Sequence, residues 1–212
     1  MARAITNKQN SESGNTRIQT ENRQRIIDAA LEVFSTYGYR GSTVAQVSEA
    51  AKMSKANLLY YFRTKNEIYL SVLEETLTVW LQPLTEINPD GEPLDELWAY
   101  VQAKLALSKS NPKASRLFAN EILQGAPMIG NFLQTELREL VEAKCTVIQQ
   151  WIDQGKLNAV SPLHLIFFIW ASTQHYADFS AQTECLTNNT DNIFDDAEHT
   201  LKTLIINGLT PQ

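Results

Sequence analysis

Apolar residues recur every three to four positions along most of the chain, in runs cut by Gly, Pro and Asn clusters. Residues 25–37, RIIDAALEVFSTY, carry one such stripe and stop at Gly38, a residue suited to the left-handed turn that ends helices. Val44, Val47, Ala50 and Ala51 repeat the spacing, and Thr43 stands where a hydroxyl can cap the first backbone N–H groups. After a Lys52-Met53 turn, Ser54 is placed to cap a further helix whose Leu58, Leu59 and Phe62 can pack back on the previous one. A long helix opens at Thr64, runs from Lys65 to about Leu81, and breaks near Pro83. Five more helical runs are predicted over 94–108, 113–123, 131–154, 162–181 and 192–207. The expectation is an all-α chain of about nine helices, because no segment alternates as a strand does. It divides into a flexible arm (1–20), a three-helix head (21–66) and a larger helical domain (67–212).

Residues 43–62 read as a helix-turn-helix, in which the second helix enters the major groove of double-stranded DNA. Charge supports this. The net charge is −6, yet residues 1–65 hold ten Lys/Arg against five Asp/Glu, while the rest hold eight against nineteen. Phosphate contacts depend on the local face rather than on the average. Ser54, Lys55, Ala56 and Asn57 open the second helix, where side chains bond base edges or touch a thymine methyl. Thr43 offers a hydroxyl and helix-start N–H groups to a phosphate, and Gln46 is equally a DNA contact or a solvated amide. The arm, MARAITNKQNSESGNT, has too few apolar residues to fold alone. With Arg3, Lys8, Arg17, Arg23 and Arg25 in or near it, it reads equally as a disordered tail or as positive charge laid along DNA.

The run AALEVFSTYGYRGSTVAQVSEAAKMSKANLLYYFRTKNEIYLSVL, residues 29–73, resembles the N-terminal domain of TetR-type repressors. The elements that carry the resemblance are F-x-x-x-G-Y-x-G-S-T, the short turn, and the recognition helix ending L-Y-Y-F with Lys65 two residues after Arg63. The resemblance implies that Tyr60, Tyr61 and Lys65 hold DNA phosphates. It also implies a pseudo-palindromic operator, a homodimer, and a small-molecule effector bound by the second domain. One departure is Lys52, where members often carry Gly; a lysine at positive φ there stores roughly 1 kcal/mol of strain.

Beyond the head, residues 162–181 are apolar nearly all round in their first half and need cover on more than one side. With 192–207 they can pack against a second copy as a four-helix seam, giving a homodimer. Trp170, Thr173, Gln174, His175, Tyr176 and Asp178 are set into this apolar segment, and buried polar groups need partners. Either they satisfy one another across the seam, or they line a ligand cavity with Trp80, Trp98, Arg116, Phe118 and Glu121. His175 and Asp178 stand three apart, but the chain has only three histidines, no third ligand at a matching spacing and no G-x-S-x-G elbow. No metal, no cofactor and no catalytic residue is expected, so the chain is read as no enzyme. It has no eighteen-residue apolar run and no signal-like start, which points to a cytoplasmic protein with no membrane partner. Cys145 and Cys185 are expected as free thiols.

The second domain is also similar, over nearly its whole length, to the pyrimidine-utilisation regulators within the TetR family. The shared blocks are NLLYYF, W-L-x-P-L at 80–84, NPKASRLF, GAP at 125–127, GKL at 155–157 and HLIFFIWASTQHYADF. This likeness implies uracil or thymine as the effector that releases a repressor from DNA. Uracil is a flat imide, which the Gln174 amide can bond at two points while Trp170 or Trp80 covers its face. Arg116 or Asp178 could complete the polar edge, or could equally form an internal pair that only orders the helices. The arm, the INPDGEPLDE linker and Asn120 depart from the likeness. The alternative is a TetR-type regulator of other metabolic or efflux genes with a different small apolar or aromatic ligand.

Overall fold

The computed structural model describes the backbone of residues 2–187 and 192–211, and side chains from Arg17 onward. The chain divides into two compact units, Met1–Glu74 and Glu75–Gln212. The first holds α1 (Ala2–Gly41), α2 (Val44–Ala50), α3 (Lys55–Tyr61) and the start of α4 (Lys65–Thr85). The side chains of residues 1–16 of the expected arm, Arg3 and Lys8 among them, lie outside the described residues. Gly38 interrupts α1 at φ 68 and ψ 170, and the Ser42 hydroxyl closes the following turn on the Gly38 carbonyl at 2.6 Å. Ile26, Ala30 and Phe34 of α1 are buried, as are Val47 and Ala51, Leu58 and Phe62, and Ile68 and Leu73, with α1 packed on α2 and α2 on α3. Burying each large apolar side chain contributes about 1.5–3 kcal/mol, so these short helices are held by packing rather than by their own propensity.

The expected break of α4 near Pro83 does not occur, and the helix runs on to Thr85. Pro83 costs the helix the bond to the Val79 carbonyl, but the turn closes beyond it, where Glu86 N donates to the Gln82 carbonyl at 3.0 Å.

The second unit continues with α5 (Pro93–Ser110) and α6 (Pro112–Leu123), each opened by a proline at its first position. A short α7 (Gly130–Phe132) leads through a π-helical turn, Leu133–Leu137, into α8 (Arg138–Asp153). Gly155, at φ 71, ends α8 in a paired closure, with Gly155 N bonded to Ile152 O and Lys156 N to Trp151 O, each at 2.9 Å. Then follow α9 (Pro162–Asp178), α10 (Ser180–Thr187), α11 (Ile193–Leu201), a π-helical turn Lys202–Ile206 and α12 (Asn207–Leu209). Helix α9 packs against α5, α6 and α8. The core there gathers Leu97, Val101, Ile148, Trp151, Ile166, Ile169, Leu201 and Ile205.

The single helix expected over 162–181 is two. Phe179 leaves helical geometry at φ −113 and ψ 32, and its ring stacks on His175 at 5.1 Å. Its carbonyl accepts from Gln182 N and Thr183 N at 2.9 and 3.0 Å, which starts α10 anew. With the runs 130–153 and 193–209 each continuous, the described residues form ten helices and no strand. Among them no helix is long and apolar enough to cross a membrane, and no cluster of metal-binding side chains forms. Cys145 and Cys185 are free.

Candidate nucleic-acid interface and effector cavity

In the head, α2 begins in a reciprocal capping box. Gln46 N donates to Thr43 Oγ1 at 3.2 Å, while Thr43 N donates to Gln46 Oε1 at 2.8 Å. The Gln46 amide oxygen is thereby part of the fold, which sequence reasoning had left as an open surface group. Ser54 Oγ accepts from Asn57 N at 3.1 Å and starts α3. Between them Lys52 sits at φ 53, the left-handed conformation anticipated from its place in the turn. Leu58 and Phe62 anchor α3, leaving Lys55, Ala56 and Asn57 exposed together at its start. The start of α3 therefore exposes an ammonium, a methyl and an amide, groups that suit guanine, thymine and adenine edges.

The residues after them divide into two kinds. Tyr60 is 72 % exposed, while half-buried Tyr61 accepts a bond from Asn22 Nδ2 at 3.0 Å. Lys65 is held by the head itself. Its Nζ donates to the carbonyls of Tyr39 at 2.7 Å and Ser42 at 2.9 Å, and lies 4.3 Å over the Tyr39 ring. Arg23 covers the Phe62 ring at 4.3 Å and bonds Ser71 Oγ at 3.0 Å.

In the second unit, α4 contributes Thr76, Leu77, Trp80 and Leu81 to a small cavity of about 40 Å³, room for a few waters. Lys104, Phe118, Leu137, Trp170 and Gln174 complete its wall. Four of the residues picked out in the sequence thus meet: Trp80, Phe118, Trp170 and Gln174. The others stand elsewhere and tie helices together. Arg116 Nη1 donates to the Ala177 carbonyl at 3.4 Å and Ser180 Oγ at 3.2 Å, closing the end of α9. Glu121 Oε1 accepts from Met128 N at 2.6 Å. Thr173 is fully buried and donates to Ile169 O at 2.7 Å. His175 stacks on Phe179, and Asp178 accepts from the Ser115 hydroxyl at 2.5 Å. Trp98, also outside the cavity wall, has Lys202 Nζ 5.4 Å over its ring.

Sequence reasoning missed Lys104. It is 3 % exposed, and its Nζ lies 4.0 Å over the Trp80 ring. Burial pulls its ammonium down from 10.5 to about 7, with the Asp178 charge acting the other way. The signal was present: Leu97, Tyr100, Val101, Lys104, Leu105 and Ser108 form the buried stripe of α5, and a lysine inside such a stripe is unusual. Burial also pushes the Asp178 carboxyl up, opposed by the Ser115 bond and by Lys104, Arg116 and His175. The two indoles differ. Trp170 Nε1 donates to the Tyr100 hydroxyl at 2.6 Å, whereas Trp80 Nε1 is buried without a partner.

Residues 26–72 match the family described as bacterial regulatory proteins, tetR family, and residues 73–212 match the C-terminal region of YcdC-like proteins. The chain belongs to the TetR family. Among curated relatives, this TetR-family chain is 40% identical to the HTH-type transcriptional regulator RutR of Escherichia coli (strain K12) over 200 residues, 93% of this chain and 94% of that one. The ketosteroid transcriptional regulator KstR2 of Mycobacterium tuberculosis shares the fold at a TM-score of 0.72 and 16% identity, covering 90% of this chain and 95% of that one. A transcriptional regulator from Streptomyces coelicolor, SCO4942, does so at 0.71 and 22%, covering 90% and 99%. As a TetR-family member the chain is a DNA-binding transcriptional regulator and not an enzyme. TetR-family regulators bind operator DNA and small effectors, and act as dimers.

Proposed function

We propose that this chain is a repressor released from a pseudo-palindromic operator by uracil or thymine, and that it controls pyrimidine utilisation in the cytoplasm. The observation that carries this reading is the cavity: small, flat-walled by Trp80, Trp170 and Phe118, and supplied with an amide at Gln174. A pyrimidine imide fits that set, because the Gln174 amide pairs with an adjacent N–H and carbonyl while the aromatic rings cover the faces. The 40% identity to RutR across 93% of the chain supports the same assignment.

On DNA, Lys55, Ala56 and Asn57 are the base-reading residues, with Ser54 and Thr43 at the two helix starts, and Tyr60 and Tyr61 on phosphates. Lys65, already bonded to two carbonyls, shapes the turn that carries α2 and adds its charge to the same face. Gln46 acts chiefly as the capping partner of Thr43. The dimer seam is formed by α9 and the terminal helices, where Leu163, Phe167, Phe168 and Leu204 stand 41–59 % exposed. A groove of about 300 Å³ between Phe168, Leu204 and Leu209 marks the same face.

Release follows from the position of the cavity along the chain. Four of its lining residues belong to α4, the helix that leaves the head directly. An effector that prefers one placement of α4 shifts the spacing of the two recognition helices away from successive major-groove turns. A hundredfold loss of operator affinity needs about 2.7 kcal/mol of differential effector affinity, within reach of a few bonds in one pocket.

The test is titration of tryptophan fluorescence with uracil, thymine and a purine, repeated with palindromic DNA present. Saturation by uracil or thymine alone, weakened by operator, is the expected result. A response to the purine, or to none of the three, would overturn the pyrimidine assignment.

A further inference from the structure

Two consecutive residues of α1 fasten the end of the recognition helix α3 from outside it. The Arg23 guanidinium lies 4.3 Å over the Phe62 ring and donates to Ser71 Oγ at 3.0 Å. Asn22, half-buried, donates through Nδ2 to the Tyr61 hydroxyl oxygen at 3.0 Å. The Tyr60 ring meets Tyr61 edge-on, at 5.3 Å and 89°. The paired tyrosines therefore differ: Tyr60 stands 72 % exposed, whereas Tyr61 is half-buried and tied at its oxygen to α1. The direction of the Asn22 bond decides what the phenol has left to offer. An amide nitrogen has only protons to give, so the Tyr61 oxygen accepts and its own proton points elsewhere. Among the described residues no acceptor takes that proton. A hydroxyl that already accepts one bond also donates the next more strongly.

We propose that Asn22 is a positioning residue for operator binding: by donating to the Tyr61 oxygen, it commits the phenol proton to a DNA phosphate. This rests on the assignment of Tyr61 to a phosphate and adds the residue that aims it. A phosphate oxygen can only accept, and a hydroxyl that donates to an ionised acceptor makes a short, strong bond. A phenol that donated to α1 would have to give up that bond before it met DNA. Here the rotor is set in advance, so less ordering is lost on binding. Asn22 acts on DNA only through Tyr61, which distinguishes it from a phosphate contact in its own right.

The experiment measures the affinity of the full-length protein for the palindromic duplex that the wild type recovers from a random-sequence pool. The variants are Asn22→Ala, Asn22→Asp and Tyr61→Phe, with each Asn22 substitution also combined with Tyr61→Phe. Thermal melts establish that each is folded. The carboxylate of Asn22→Asp keeps the tie between α1 and α3, but it accepts where the amide donated and draws the phenol proton away from DNA. We expect Tyr61→Phe to lose about tenfold and Asn22→Ala about fivefold, while adding Asn22→Ala to Tyr61→Phe costs less than about twofold. Asn22→Asp should lose about fivefold more in the wild-type background than beside Tyr61→Phe, where only its charge acts. Equal losses in the two backgrounds would show a tie that merely holds the helices together, and would overturn the proposal. So would additive losses for Asn22→Ala and Tyr61→Phe, which would make Asn22 a DNA contact of its own. Wild-type affinity in both Asn22 variants, with a loss in Tyr61→Phe, would overturn the role of Asn22 while leaving Tyr61 on a phosphate. Wild-type affinity in Tyr61→Phe would sink both.

Discussion

Replacing Lys104 by Met should make the protein more stable. The ordinary lysine value of 10.5 falls to about 7 here, chiefly by burial. At about 1.4 kcal/mol per pH unit, holding this group at neutral pH disfavours the fold by roughly 5 kcal/mol. Relaxation and water entry reduce that figure, and Met forfeits the contact with the Trp80 ring, about 1–2 kcal/mol. A net gain of about 1–3 kcal/mol in unfolding free energy remains, since Met fills a similar volume without a charge. The sign with pH follows from the same values. Between about 7 and 10.5 the unfolded chain binds a proton that the folded chain has released, so the contribution of Lys104 to stability rises with pH across that window. The gap between Lys104→Met and wild type is therefore widest at pH 7 and below, and closes towards pH 10. Taking the difference matters, because Tyr176 and Cys145, both pushed up by burial, act oppositely at alkaline pH in both proteins. Urea unfolding of the two proteins at pH 6, 7, 8.5 and 10 measures it. A variant less stable than wild type by about 1 kcal/mol or more at pH 7, or a gap that does not change with pH, refutes the reasoning.

Lys52→Gly removes a side chain from φ 53 and should stabilise the protein by about 0.5–1 kcal/mol in thermal melts, with operator affinity within twofold of wild type. Lys55→Ala should weaken operator binding with unchanged stability and relax the base preference at one operator position; a uniform loss across sequences, with the slope of log affinity against log salt reduced by about 0.9, would make it a phosphate contact instead. Lys65→Met, by contrast, orphans the Tyr39 and Ser42 carbonyls and should lower stability by about 1–3 kcal/mol; a variant that loses DNA binding at full stability makes Lys65 a phosphate contact alone. Phe168→Glu places a charge on the exposed apolar face of α9, and light scattering should show the dimer shifting to monomer.

What the sequence allowed to be read, and what it did not, divides along a physical line. Periodicity and end signals are local, so the head was legible almost to the residue: Thr43 and Ser54 as caps, Gly38 as a stop, Lys52 in the left-handed turn. The breaks went wrong where local rules conflict with context. Pro83 was given too much weight, since α4 absorbs the one backbone bond it removes and runs on to Thr85. Phe179 carried no breaking signal at all, and a His175–Phe179 stack together with a new set of carbonyl bonds ends α9 there. The cavity shows the deeper limit. Several polar residues on α9 were ligand candidates, with Gln174 and Trp170 foremost, yet Thr173 turns back on Ile169, and Asp178 and Arg116 tie α9 to α6 and α10. Only Gln174 and Trp170 of that group reach the cavity wall. Spacing along one helix cannot distinguish a side chain that faces a hole from one that faces a neighbouring helix. Lys104 is the converse case, since a charge inside an otherwise apolar stripe marks the place where the core has been left incomplete. The same reasoning transfers to α5 as a whole: Ser108, one turn further on, is buried with its hydroxyl unpartnered, and Ser108→Ala should therefore be neutral or stabilising by about 1 kcal/mol in urea unfolding, whereas a loss of more than that would reveal a partner for the hydroxyl in solution.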